Sequence, residues 1–334
     1  MTGKQFFERL WYGGSKWAYL LWPFSLIFAS ATALRRCFYR IGLFTRHQFD
    51  KPVIVVGNIT VGGSGKTPVV IALLERLKAA GYKPGVVSRG YRGDAESYPV
   101  LLSEQSLARD VGDEPLLIWR RTQAPVVVDP QRPRAVNYLI QHCDCDVIIS
   151  DDGLQHYAMA RDFEIALVDA KRGLGNGYLL PAGPLREPVK RLQSVDWVMS
   201  NGRGGARDMS VEITVDGIRD CTTASPVDLQ QLKTKTLHAV AGIASPERFF
   251  DTLTELGLQF TPHVFDDHHP FIQQDLAFAD DAYIIMTEKD AVKCSDFASS
   301  TMCYLAISAE LPEQLCTDLL VRLAQKSGRE PCLV

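Results

Sequence analysis

Short apolar runs alternate with stretches of helical periodicity through most of the chain. The run Val53-Ile54-Val55-Val56 ends at Gly57, and Val69, Val70, Leu73, Leu74 and Leu77 then fall on one helical face. The first pattern predicts a strand and the second its returning helix, which Gly81 stops as a C-terminal cap. Residues 85–88, 125–129, 146–149, 163–169 and 195–200 read as further strands, with a helix over 132–141. Residues 209–215 alternate like an exposed strand, and 216–235 are polar and irregular, as a linker is. A second unit follows, with strands over 237–243, 282–286 and 302–307 and a closing helix over 312–324. Between the first two of these strands, Ser245 is placed to cap a helix with Pro246 in its first position and Phe249, Phe250, Leu253 and Leu256 inward. Strands alternating with helices predict an α/β protein. Its boundaries read as an N-terminal segment over 1–50, a first domain over 51–225 and a smaller α/β domain over 226–334.

The N-terminal segment has a different pattern. Residues 17–34 carry no charge and include Pro23, with Lys16 before them and Arg35 and Arg36 after. A cleaved signal peptide, a spanning helix and a helix lying in the membrane interface all fit such a run. Secretion would carry the glycine-rich stretch Gly62 to Thr67, which reads as a phosphate-binding loop, away from cytosolic nucleotide, and Pro23 interrupts a span of marginal length. The interfacial helix is therefore favoured, with Trp11, Tyr12, Trp17, Tyr19 and Trp22 at headgroup depth and the arginines on anionic phosphates.

Charge sharpens that reading. The net charge of the 334 residues is −3, which gives no general case for binding nucleic acid. Residues 1–46, however, hold seven basic side chains against Glu8 alone, so the attraction to an anionic surface is local. The hydrophobic share of 46% excludes disorder, and the length allows two domains with an appendage. Eight cysteines are scattered without a C-x-x-C pair or zinc spacing, as expected of reduced cytosolic thiols.

The chemistry concentrates where strands end. Between the first strand and its helix lies Thr60-Val61-Gly62-Gly63-Ser64-Gly65-Lys66-Thr67. Phosphates need backbone amides close by, which side chains at Gly62, Gly63 and Gly65 would block, and a helix N-terminus adds its positive end. These eight residues are expected to bind ATP, with Lys66 on the β- and γ-phosphates and the Thr67 hydroxyl on Mg²⁺. Thr60 stands where the usual phosphate-loop pattern has a glycine. Downstream, 146–149 runs into Asp151-Asp152, an apolar strand ending in carboxylates that hold Mg²⁺ beside a phosphate loop. Asp113 and Glu114 read either as a helix cap or as a base and a metal-water partner. Arg89, in the basic loop after the second strand, and Arg172 and Arg186, in the Gly/Pro-rich stretch 171–188, are candidates to clamp phosphate. In the second unit Asp266-Asp267-His268-His269 suggests a proton relay more than a metal site, since no third ligand is nominated.

Taken together, Gly57 to Pro68, Ser88-Arg89-Gly90-Tyr91, Gly112-Asp113-Glu114-Pro115, Asp151 to His156, Leu180 to Glu187 and Thr287 to Lys293 resemble the tetraacyldisaccharide 4′-kinase family, over nearly the whole chain and including Thr60. The resemblance implies two α/β/α sandwich domains, the first a P-loop NTPase-like parallel sheet, joined by a small β linker, with a membrane-associated N-terminal helix. It also implies transfer of the ATP γ-phosphoryl to the 4′-hydroxyl of an acylated, phosphorylated glucosamine disaccharide, the lipid A precursor, at the cytoplasmic face of a Gram-negative inner membrane. Asp113 would then be the base and His268 its helper, with the adjacent His269 leaving that choice open. The alternative is a membrane-bound nucleotide switch or ATPase driving a partner protein. Against it, Thr287-Glu288-Lys289-Asp290 has its lysine one place late for a guanine-reading motif.

Overall fold

The computed structural model describes residues 3–63, 65–202, 209–278 and 282–329. Ser64 of the phosphate loop lies outside them.

Two helices precede the first strand, α1 (Gly3–Tyr12) and α2 (Ala18–Arg40). The expectation that Pro23 interrupts the apolar run is corrected: α2 is continuous for 23 residues. Pro23 lies in its second turn, where one lost backbone bond is tolerated. Only Ala18 and Ser25 of α2 are buried, while Trp17, Tyr19, Leu20, Phe24 and Ile27 are exposed. Ser25 fastens the helix to the body, its hydroxyl donating to the Leu179 carbonyl at 2.8 Å and accepting the Ala182 amide at 3.0 Å. Trp11 and Tyr12 pack on the protein, the indole donating to the Pro181 carbonyl at 3.0 Å and the phenol ring lying under Arg172.

The first half of the body is built on β1 (Val53–Gly57), buried along its length because it pairs in parallel on both sides. Helix α3 (Lys66–Ala79) returns the chain; the Tyr82 amide bonds to the Leu77 carbonyl and that of Gly81 to Lys78, closing the helix on a glycine with φ +80°. Next come β2 (Pro84–Ser88), the short β3 (Val100–Leu101), α4 (Ala108–Val111), α5 (Asp113–Thr122), β4 (Val126–Val128), α6 (Arg132–His142), β5 (Val147–Asp151), β6 (Phe163–Asp169) and β7 (Trp197–Asn201). Strands β4, β2, β5, β1, β6 and β7 lie side by side and parallel, with an apolar layer on each face.

Strand β8 (Ser210–Asp220) joins the halves. It continues well past 215, which corrects the reading of 216–235 as wholly irregular; β9 (Pro226–Val227) and α7 (Leu229–Leu232) also fall there. Its polar residues conceal it because much of its surface is exposed and backbone pairing sustains it. The second half adds β10 (Leu237–Ala241), α8 (Pro246–Glu255), β11 (Thr261–Val264), β12 (Tyr283–Thr287), α9 (Glu288–Ala291), β13 (Met302–Glu310) and α10 (Glu313–Ser327). Ser245 holds the N-cap position of α8 but makes no capping bond with its side chain, and Pro246 starts the helix as expected.

Because β8 pairs with β7 at one end and with β13 along most of its length, thirteen strands form one continuous, mostly parallel sheet. The final helix crosses back: Leu315, Leu319, Leu320 and Leu323 of α10 share a core with α3 and α5 of the first half.

Candidate active site

A cleft of about 1690 Å³ opens where the carboxyl ends of the parallel strands meet the second half. In an open α/β sheet this is where ligands bind.

Its floor is the phosphate loop. Gly65 caps α3 in the left-handed region at φ +74°, and a β-carbon there would collide with the Asn201 side chain. Thr60, by contrast, is extended and bridged to Leu185, with its hydroxyl accepting from Asn58 Nδ2 at 3.3 Å. That backbone requires no glycine, which accounts for the departure from the usual pattern. The Val61 amide is tied to the Pro184 carbonyl at 2.8 Å. Thr67 is buried at the helix start, and Lys66 reaches Asp152 at 3.6 Å.

The two carboxylates after β5 have different surroundings. Asp152 sits at φ +47° and receives Arg186 through both oxygens at 3.0 Å. Against the cost of burial, Lys66 and Arg186 hold its carboxyl well below the usual range. Asp151 is buried, and its Oδ1 has no hydrogen-bond partner. Burial and the nearby Glu114 push its pKa up to about 7. Behind it, the fully buried Arg132 donates to the Asp151 carbonyl at 2.6 Å.

Across the cleft Asp113 is the first residue of α5, so the capping alternative is corrected: Gly112 holds the N-cap position, and Asp113 Oδ1 accepts the Glu114 amide at 2.8 Å. His268, from the loop after β11, brings Nδ1 to 2.8 and 3.0 Å from the two Asp113 oxygens. Its neighbour His269 turns away, with Nε2 2.9 Å from Asp275. Burial opposes ionisation of Asp113, but the His268 hydrogen bond and the Lys289 ammonium bring its pKa below the ordinary value. Glu114 is also lowered against burial, by Lys289 and Lys66.

The three arginine candidates separate. Arg89 is exposed at the end of β2 and lines the cleft. Arg186 is committed to Asp152 and to the Asn58 carbonyl. Arg172 lies 3.4 Å from Glu8 of α1 and over the Tyr12 ring, beside the phosphate loop but turned toward the N-terminal helix. Sequence reasoning passed over Lys289, which reaches Glu114 at 2.9 Å, and Arg248, which grips both oxygens of Asp169 at 2.7 and 2.8 Å. A signal for Lys289 was its place two residues beyond the end of an apolar strand.

The donor set suits a hard cation. Thr67, Asp151 and Glu114 offer oxygen ligands, and the unpartnered Asp151 Oδ1, too costly to ionise alone, fits a carboxylate that a divalent ion would satisfy.

Comparison with known proteins gives a consistent picture. A family model described as tetraacyldisaccharide-1-P 4′-kinase matches residues 17–324. The tetraacyldisaccharide 4′-kinase of Hahella chejuensis is 47% identical over 311 residues, spanning 91% of this chain and 92% of that protein. That of Aeromonas hydrophila is 50% identical over 320 residues, spanning 95% of each. Among solved structures, LpxK from Aquifex aeolicus in complex with ATP superposes with a TM-score of 0.78 at 27% identity, covering 92% of this chain and 99% of that one.

Proposed function

This chain belongs to the tetraacyldisaccharide 4′-kinase family, and from that premise we propose how its residues carry out the reaction. It is an ATP-dependent kinase that phosphorylates the 4′-hydroxyl of the tetraacylated glucosamine disaccharide 1-phosphate, giving lipid IVA. The observation that carries the mechanism is the 2.8 Å contact of the buried Asp113 with His268, which lines the cleft together with Lys66 and Thr67.

Phosphoryl transfer asks a protein mainly to position the reactants and to neutralise charge. The loop from Thr60 to Thr67 cradles the triphosphate, and Lys66 leaves Asp152 to meet the β- and γ-phosphates. Thr67, Asp151 and Glu114 would hold Mg²⁺, which would neutralise charge on the phosphate oxygens. Asp152 is already satisfied by Arg186 and Lys66, so Asp151 is the better ligand of the two. Asp113 accepts the proton of the sugar hydroxyl as its oxygen bonds the γ-phosphorus and the bond from that phosphorus to the β,γ-bridging oxygen breaks, releasing ADP. His268 donates from Nδ1 to Asp113 and holds its carboxylate toward the acceptor. Arg89, exposed in the cleft, is free to approach the acceptor phosphate more readily than Arg172 or Arg186, whose guanidinium groups are paired.

We assign residues 51–225 to the kinase domain and 226–334 to the α/β unit that brings His268, the two sandwiches meeting through the β8 and β9 linker. The exposed apolar face of α2, flanked by basic residues, lies in the cytoplasmic leaflet of the inner membrane, where the lipid acceptor is. The deciding experiment supplies γ-labelled ATP and the disaccharide acceptor in detergent. Label in the lipid is expected, and label released only as free phosphate refutes the reading. An Asp113→Ala variant should lose turnover by about 10²–10⁴-fold while keeping its ATP affinity.

A further inference from the structure

Lys289 stands among the charged groups around the base. Its Nζ is 2.9 Å from Glu114 Oε1, 3.4 Å from His268 Nε2, and 3.9 Å from both Asp113 Oδ2 and Asp267 Oδ1. Asp113 and Glu114 belong to the first half of the molecule, and His268, Asp267 and Lys289 to the second.

The backbone beneath Lys289 is held firmly. Thr287 caps α9, its hydroxyl donating to Asp290 at 2.6 Å. The buried Asp290 also accepts the Gly242 amide at 2.9 Å, and the Gly242 carbonyl accepts the His268 amide at 3.1 Å. Lys289 and His268 are therefore fixed to the same framework. Next to Lys289, Glu288 receives Arg121 through both oxygens at 3.0 Å. Arg121 closes the helix that Asp113 opens, about 12 Å away at 1.5 Å per residue. Glu288 and Lys289 thus grip α5 near both ends.

We propose that Lys289 is the positioning residue of the Asp113–His268 pair, setting the base of one half in register with the imidazole of the other. The imidazole chemistry requires such a group. For Nδ1 to donate to Asp113, a neutral His268 must carry its proton there and leave Nε2 as an acceptor. Nε2 faces both the Lys289 ammonium at 3.4 Å, which can only donate, and Asp267 Oδ1 at 3.8 Å, which can only accept; the nearer ammonium favours the tautomer with the proton on Nδ1. Its contact with Glu114 keeps the start of α5 against the loop that bears His268.

This inference rests on Asp113 being the base, so Asp113→Asn is measured beside the lysine variants. Full activity of Asp113→Asn sinks the base assignment itself, whatever Lys289 does. With that variant inactive, Lys289→Met should lose kcat by about 10²-fold, the cost of misplacing a reacting group, with KM for ATP within about twofold of wild type. Lys289→Arg, which keeps the charge and the donors, should recover kcat to within about tenfold. A Lys289→Met enzyme with wild-type kcat overturns the proposal. So does a rise in KM for ATP that matches the loss of kcat, which would make the lysine a nucleotide ligand. Should the Met variant fail to fold, Lys289→Arg decides alone: recovery supports positioning, and a loss as deep as that of Asp113→Asn refutes it.

Discussion

Gly65 has two separate reasons to be glycine, its positive φ and the Asn201 side chain lying where a β-carbon would go. Gly65→Ala should therefore weaken ATP binding by about tenfold or more, since each 1.4 kcal/mol of misfit is a factor of ten, and calorimetric titration with a non-hydrolysable analogue measures it. His156 offers a test of charge instead. Burial and the neighbouring Arg132 lower its pKa to about 3 from 6.5. Between those values the unfolded chain binds a proton that the folded protein refuses, so the contribution to stability is present above pH 6.5 and is lost as pH falls toward 3. Replacing His156 by Gln should flatten the fall in stability between pH 7 and 5 by about 2 kcal/mol, read from urea unfolding at each pH. At this scale, placements that follow from local pattern were legible: Lys66 and Thr67 open a helix after a glycine loop, and Asp151 ends an apolar strand. The partnership of Asp113 with His268 spans 155 positions and depends on how the halves meet. Lys289 was hidden for the same reason, because its four partners come from α5 and the loop after β11.

Elements with strong periodicity were read nearly to the residue, as with β1, β6 and α3. The misses are elements sustained by pairing more than by burial. Strand β11 carries Pro262 and His263, β3 is two residues long, and β8 is polar through most of its second half. Helix α10 was found as a helix, but its packing against α3 could not be read from its own period. For α2 the apolar run was plain, whereas its attachment through Ser25 required the distant loop at 179–182. Removing residues 1–46 should sharply reduce recovery of the protein with membranes in a flotation assay. Undiminished flotation would locate the membrane contact elsewhere.

For the molecule as a whole, the sheet that runs through both halves and the α10 helix that returns to the first half tie their stabilities together. Unfolding is expected as one calorimetric transition, because losing the second half strips Leu315, Leu319, Leu320 and Leu323 from the core of the first. Two resolved peaks would show that the halves stand independently. The cleft depends on the same coupling, since Arg248 of α8 meets Asp169 at the end of β6 beside the nucleotide floor.

The shared strand β8 also bears on solubility. Two separate sheets would each present open edges there, each a row of unpaired amides and carbonyls ready to accept a strand from another molecule. Here β8 has neighbours on both sides, and among the described residues the strands at the margins are β3, β9 and β11. Two of these are only two residues long, while Pro226 in β9 and Pro262 in β11 each lack an amide to offer. The protein is thereby left with little backbone on which neighbouring copies could template aggregation.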